Sequence, residues 1–161
     1  MSFYTRKSPR IQNYDYSTEN FYFITICTAH RRCFFGTVSQ LNIIGKIARE
    51  QMEKLNEHYP NVHVEKYVIM PNHVHMILSV RKSGENDVQQ VIAQYKSGVS
   101  REARKIKSDL VLWQRSFHDH IIRNQKQFEK IWLYIEANPM RWEEDCFYMA
   151  SEETDRFREG Q

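Results

Sequence analysis

Two histidines one residue apart, His73 and His75, stand inside the stretch Tyr67 to Leu78, YVIMPNHVHMIL, where an apolar run, a Pro71-Asn72 turn and a second apolar run follow one another. In an extended strand side chains alternate between faces, so His73, His75 and Ile77 point one way while Val74, Met76, Leu78 and Val80 point the other. The apolar set faces a core. The two imidazoles stand on the opposite face, close enough to converge on one metal ion. The plainer alternative is a pair of half-buried polar side chains. Against it, neighbouring imidazoles repel when both are protonated and gain most when a cation lies between them.

A second His-x-His pair, His118 and His120, lies in LVLWQRSFHDHIIR, Leu110 to Arg123, which reads as one or two strands around Ser116. Downstream, Phe128, Ile131, Trp132 and Ile135 form the apolar stripe of a helix. Tyr134 falls about 110° from the centre of that stripe, and Asn138 lies one turn beyond it, about 40° away. From the helix alone they are a tyrosine flanking the core and an asparagine ending the helix ahead of Pro139.

The elements that must hold these residues follow from periodicity. Asn20 to Thr28, NFYFITICT, reads as a central strand. Ser39 offers a cap for a helix carrying Leu41, Ile44, Ile47, Ala48, Met52 and Leu55, which Pro60 closes. Val62, Val64, Val68 and Met70 are expected to share one face of the next strand, which the Pro71-Asn72 turn joins to the histidine strand as a hairpin. Asp87 with Gln90 and Asn124 with Gln127 have capping-box spacing at the starts of two further helices. Strand, helix, strand, strand, helix, strand, helix predicts an α+β fold: a ferredoxin-like split βαβ sandwich, an antiparallel sheet with helices on one face, plus a C-terminal tyrosine-bearing helix.

The chain has 161 residues, enough for one domain with its own core. We divide it into an N-terminal arm (1–19), a folded domain (20–140) and a charged tail (141–161) that also carries Trp142, Phe147 and Tyr148. Hydrophobic residues make up 41% and charged residues 27%, so a low-complexity chain is excluded. No run resembles a signal peptide or a membrane span, which implies a soluble, cytoplasmic protein. Cys27, Cys33 and Cys146 make no CxxC pair and no even framework, and are expected to be reduced. The net charge of +3 is mild. Basic residues nonetheless cluster at Arg6, Lys7 and Arg10, at Lys96, Arg101, Arg104, Lys105 and Lys107, and at Arg123, Lys126 and Lys130.

Three separated segments, YVIMPNHVHMIL, WQRSFHDHIIRN and YIEANP, with FITICTAHRR ahead of them, resemble the REP-associated tyrosine transposases and their relatives, the TnpA-type single-tyrosine transposases of the HUH endonuclease class. The resemblance runs from about Phe21 to Trp142 and keeps the family's motif order. It implies that His73 and His75 are the HUH metal ligands, with the hydrophobic Val74 between them, and that Tyr134 is the nucleophile. It also implies that Asn138 completes the metal site, where relatives often carry glutamine, a side chain one methylene longer. Tyr67 and His120 are read as structural. The implied cofactor is a divalent metal, Mg²⁺ or Mn²⁺, and the implied partner is single-stranded hairpin DNA, handled by a homodimer. Lys96, Arg101, Arg104, Lys105 and Arg123 are then candidate phosphate contacts.

Two other readings use the same residues. One is a hairpin-binding module of this fold that cuts nothing, as in sheet proteins that bind RNA; it leaves the histidine pair unused, and the strands lack the aromatic and glycine signature of that class. The other is a metal-dependent nuclease that activates water, with His118 and His120 among its ligands.

Overall fold

The computed structural model describes residues 20–81 and 86–149. The arm, with its cluster Arg6, Lys7 and Arg10, and the tail beyond residue 149 lie outside the described residues. Four strands, β1 (Asn20–Cys27), β2 (Val62–Met70), β3 (His73–Val80) and β4 (His118–Ile122), form one sheet in the order β2-β3-β1-β4. All three pairings are antiparallel. Two crossover helices, α1 (Ile43–His58) and α2 (Val88–Arg104), link β1 to β2 and β3 to β4, which is the split βαβ arrangement.

The alternation in the sequence decides which layer each residue enters. Tyr22, Ile24 and Ile26 of β1 and Val74, Met76 and Leu78 of β3 meet Met52, Leu55, Ile92, Tyr95 and Val99 of α1 and α2 in the main core. Tyr95 also donates from its hydroxyl to the Ala48 carbonyl at 3.0 Å, tying the two helices together. Phe23 and Ile77 face the other way, where they and Ile122 pack against Ile131 and Ile135 of a third helix, α3 (Gln125–Ala137). The sheet is thus covered on both faces, α1 and α2 on one and the tyrosine-bearing α3 on the other. Lys66 on β2 pins α3 from the side, its ammonium 4.7 Å from the centre of the Trp132 ring and 3.5 Å from Glu136.

Two local expectations change. Val62 and Val64 face the main core, but a bulge at Glu65 shifts the register between Val64 and Lys66, so Val68 and Met70 face the α3 side opposite His75 and His73. One extra residue in a strand reverses the facing of everything after it. The first crossover helix begins later than Ser39: Gly36, at φ 104°, bridges to Leu41 and closes a tight loop, and Asn42 caps instead, accepting from the Gly45 amide at 2.9 Å. The Asp87–Gln90 capping box is complete. At α3 Asn124 caps through Gln127 N–H, whereas the Gln127 side chain accepts from Arg123 N–H.

The start of α1 leaves no room for a larger residue at Gly45, because a Cβ there would run into the Phe35 carbonyl oxygen. Gly45→Ala is expected to destabilise the fold by about 1–3 kcal/mol despite alanine's better helix propensity. Urea denaturation followed by circular dichroism reads this, and a variant as stable as the parent would refute the close approach.

Candidate metal and tyrosine site

β3 is buried along its whole length, and His73 and His75 are fully enclosed on its α3 side. Their ring centres are 4.5 Å apart. Each ring is fixed through one nitrogen. His73 Nδ1 lies 2.8 Å from Asn72 Oδ1, and His75 Nδ1 lies 2.6 Å from Thr25 Oγ1 on the neighbouring strand. The Nε2 atoms of both rings are buried without a hydrogen-bond partner, as are Asn138 Oδ1 and Asp145 Oδ2. Buried polar atoms left bare are rare, because each costs about 1–3 kcal/mol of lost hydration.

Asp145 follows the short 3₁₀ turn Pro139–Glu144, which turns the chain back across the end of α3. Its Oδ1 accepts from the Phe147 amide at 2.9 Å, while Oδ2 lies 3.6 Å from His73 Nε2. His73 Nε2, His75 and Asp145 present ligand atoms all within 4.8 Å of one another. This is not a charged pair awaiting a proton. Burial pushes His73 down to about 3 and His75 well below its ordinary value, and burial raises Asp145. Two unprotonated ring nitrogens therefore face a carboxylate oxygen with no donor between them. A divalent cation fits that donor set, since imidazole and carboxylate together suit Mn²⁺ well and Mg²⁺ less readily.

Tyr134 comes to the same place because Ile131 and Ile135 bury the adjacent stripe of α3. Its ring lies 5.4 Å from the His75 ring and meets Phe23 edge-on at 6.0 Å. Burial and then the Asp145 charge push the phenol up to about 12, while a hydrogen bond with the Asn138 side chain pulls it back. The Asn138 side chain also favours a proton on His73, against the larger effect of burial. The tyrosine, the histidine pair and Asn138 are thus assembled within one chain.

The remaining candidates are placed elsewhere. His118 and His120 pair with Thr25 and Phe23, so they share the sheet face of His75 but sit beyond β1, at the sheet edge. The grouping suited to an ion among the described residues does not include them. Tyr67 faces α1 and donates to Glu53 at 3.1 Å, a structural contact. Lys96, Arg101, Arg104 and Lys105 belong to α2 and its end, on the sheet face opposite the histidines. Lys96 holds the carbonyls of Gln114 and Ser116, and Arg104 that of Leu110. Arg101 and Lys105 flank Glu102, and Arg123 is exposed where β4 meets α3.

Sequence reasoning misses Asp145 and Phe147, which fall in the charged tail. The ring of Phe147 covers His73 at 4.6 Å. It also misses Arg31, held at φ 55°, whose guanidinium lies 5.4 Å from the Phe147 ring centre and whose charge lowers the pKa of His73. The only available signal was the aromatic content of residues 142–148 after a helix-ending Pro139. The three cysteines are free thiols. No helix among the described residues is long and apolar enough to cross a membrane.

Comparison with known proteins gives a consistent picture. Residues 17–138 match the family model described as transposase IS200 like. The chain is 33% identical to an uncharacterised protein of Haemophilus influenzae over 89% of its own length and 93% of the relative's. It is 26% identical, over 79% of its length and 74% of the relative's, to another H. influenzae protein provisionally named a REP-associated tyrosine transposase. Its fold is similar to that of a REP-associated tyrosine transposase solved bound to a REP hairpin, with TM-score 0.63 and 23% identity, over 88% of this chain and 74% of that one. A crystal structure of a Deinococcus radiodurans protein, provisionally described as a transposase, superposes with TM-score 0.52 at 15% identity, over 79% and 95% of the two chains.

The buried imidazoles set a pH dependence for the metal-free protein. Unfolded histidines take up a proton near pH 6.5, whereas folded His73 resists until about 3. In that window the unfolded chain binds more protons, so stability falls as the pH is lowered. Asp145, with its pKa raised, opposes part of the slope. Denaturation midpoints measured from pH 7 to 4 are expected to fall, and to fall less steeply in His75→Gln; equal slopes would refute the burial of a neutral ring.

Proposed function

Because the chain belongs to the IS200-like transposase family, we propose that it cleaves and rejoins single-stranded hairpin DNA with Tyr134 as nucleophile at a divalent metal site. The observation that carries this reading is the packing of Tyr134 against His75, beside ring nitrogens that have no hydrogen-bond partner. His73 and His75 would hold Mg²⁺ or Mn²⁺, with Asn138 and Asp145 supplying buried oxygens that have no hydrogen-bond donor. Such an ion, when bound, supplies positive charge to polarise the scissile phosphate.

The chain's own residues account for the rest. Tyr134 Oη loses its proton and attacks the phosphorus, the bond to the 3′ oxygen breaks, and that oxygen takes up a proton as a free 3′-hydroxyl. The DNA is left joined through its 5′ phosphate to the tyrosine. One phosphodiester replaces another, so a later 3′-hydroxyl can reverse the exchange without a nucleotide cofactor. The Asn138 contact, which favours the phenolate, offsets part of the penalty that burial places on it. Buried aromatic walls at Phe23 and Phe147 hold the tyrosine and histidine rings in place and keep bulk water from them.

A hairpin substrate is supported by the similar structure of a REP-associated tyrosine transposase bound to a REP hairpin. Lys96, Arg101, Arg104, Lys105 and Arg123 are the proposed phosphate contacts. Lys96 and Arg104 contribute least, being already committed to loop carbonyls. Moving a segment with two ends calls for two tyrosines, hence a homodimer acting on DNA in the cytoplasm.

A denaturing gel of protein mixed with labelled hairpin DNA and Mn²⁺ tests the reading. The parent is expected to give a DNA-linked protein band, Tyr134→Phe none, and His73→Ala a band reduced by more than about 100-fold, beyond the 10–100-fold typical of an outer partner. His118→Ala and His120→Ala are expected to retain the band. Cleavage that survives Tyr134→Phe but not His120→Ala would replace this mechanism with metal-dependent hydrolysis, and binding without cleavage in either Mg²⁺ or Mn²⁺ would leave a hairpin-binding module.

A further inference from the structure

Asn72 is wholly buried at the tip of the β2–β3 hairpin, and its backbone carbonyl and both polar atoms of its side chain have hydrogen-bond partners. Its backbone carbonyl accepts from the Thr28 amide at 3.0 Å and lies 2.9 Å from the Thr28 hydroxyl, whose one proton it shares with the Arg32 carbonyl. Its Nδ2 donates to the carbonyl of Arg31 at 3.0 Å and to that of Phe147 at 2.6 Å. Two carbonyl oxygens on the same side decide which end of the amide is nitrogen, because an oxygen placed there would face both. Asn72 Oδ1 is therefore the atom turned towards His73 Nδ1, and an amide oxygen can only accept. The proton of His73 lies on Nδ1.

We propose that Asn72 is the positioning residue of the site: it holds His73 as the Nδ1–H tautomer, ring fixed, so that the lone pair of Nε2 points at the metal. The torsion that swings an imidazole is broad and roughly two-fold, so packing alone distinguishes poorly between a ring and its flipped form. A directional acceptor at Nδ1 removes that choice, as hydrogen-bond partners on the far nitrogen do for metal-bound histidines generally. The same amide fastens the chain on both sides of the site. The left-handed backbone at His30 and Arg31, φ 54° and 55°, lies in the turn whose Arg31 carbonyl accepts from Asn72. The bond to Phe147 O holds the segment that carries Asp145. One buried side chain thus sets the orientation of one ligand and the location of another.

The inference rests on the proposal that His73 is a metal ligand, and its test separates the two. Long-range ¹⁵N–¹H correlation spectra of metal-free protein with labelled histidine read the tautomer of His73 directly, with no DNA and no cleavage, and an electron-spin titration reads Mn²⁺ affinity. The parent is expected to carry the His73 proton on Nδ1. Asn72→Leu, similar in size but without an acceptor, is expected to lose that single tautomer and to bind Mn²⁺ roughly 10–100-fold more weakly. Asn72→Asp, which keeps an oxygen for Nδ1 but loses both donors, is expected to restore the tautomer yet to bind Mn²⁺ more weakly than the parent, because the segment carrying Asp145 loses its anchor. A parent spectrum with the proton on Nε2 would overturn the proposal even if neither variant folds, and so would an Asn72→Leu that keeps both tautomer and affinity. Undiminished Mn²⁺ binding by His73→Ala would instead sink the metal reading, leaving the tautomer result to stand for Asn72 alone.

Discussion

Burying two unprotonated imidazoles side by side in the middle of a sheet is the constraint on which the rest of the site depends. β3 is enclosed on both faces, so neither ring can turn to water for its second nitrogen. Each then needs a fixed partner at Nδ1, and Thr25 and Asn72 provide one from the adjoining strand and from the hairpin turn. Satisfying Nδ1 leaves both Nε2 atoms aimed into the same small space, where Asp145 and Asn138 also present oxygens without donors. A protein that only needed stability would place apolar side chains there, since an unsatisfied buried polar atom is a pure cost to folding.

The two faces of the sheet divide the work. The α1 and α2 side holds nearly all the large apolar side chains and carries the stability of the domain. The α3 side has a much smaller apolar cluster, Phe23, Ile77 and Ile122 against Ile131 and Ile135, yet it positions every group of the candidate site. The two are coupled through rigid strands: the residues that alternate with His73 and His75 are Val74 and Met76, locked in the main core. Small movements of the ligands would have to disturb that core, which keeps the rings in register with Tyr134. The strongest basic cluster of the sequence lies on the α2 side, away from the tyrosine, where several of its members hold loop carbonyls and a neighbouring glutamate. Clustering in sequence therefore marked a helix surface and a set of loop anchors before it marked any contact with phosphate.

What the sequence determined by itself was whatever obeys a local period. Alternation in HVHMIL put the histidines on one face and the core residues on the other, and helical spacing put Tyr134 and Asn138 one turn apart at the edge of an apolar stripe; the structure keeps both patterns. The strand and helix order was likewise enough for the split βαβ topology, because few chain paths satisfy it. Tertiary structure decided whatever depends on a register or on a meeting of distant segments. The bulge at Glu65 sent Val68 and Met70 to the other face, a change that no count of apolar residues reveals because the residue types suit either side. Asp145, Phe147 and Arg31 reach the histidines only because the chain turns back after Pro139 and takes left-handed conformations at His30 and Arg31. Asn72 looked like an ordinary turn residue. Its amide acquires a direction only when two carbonyls more than thirty residues away in sequence come to face it, since a hydrogen bond is set by distance and angle in space and leaves no period along the chain.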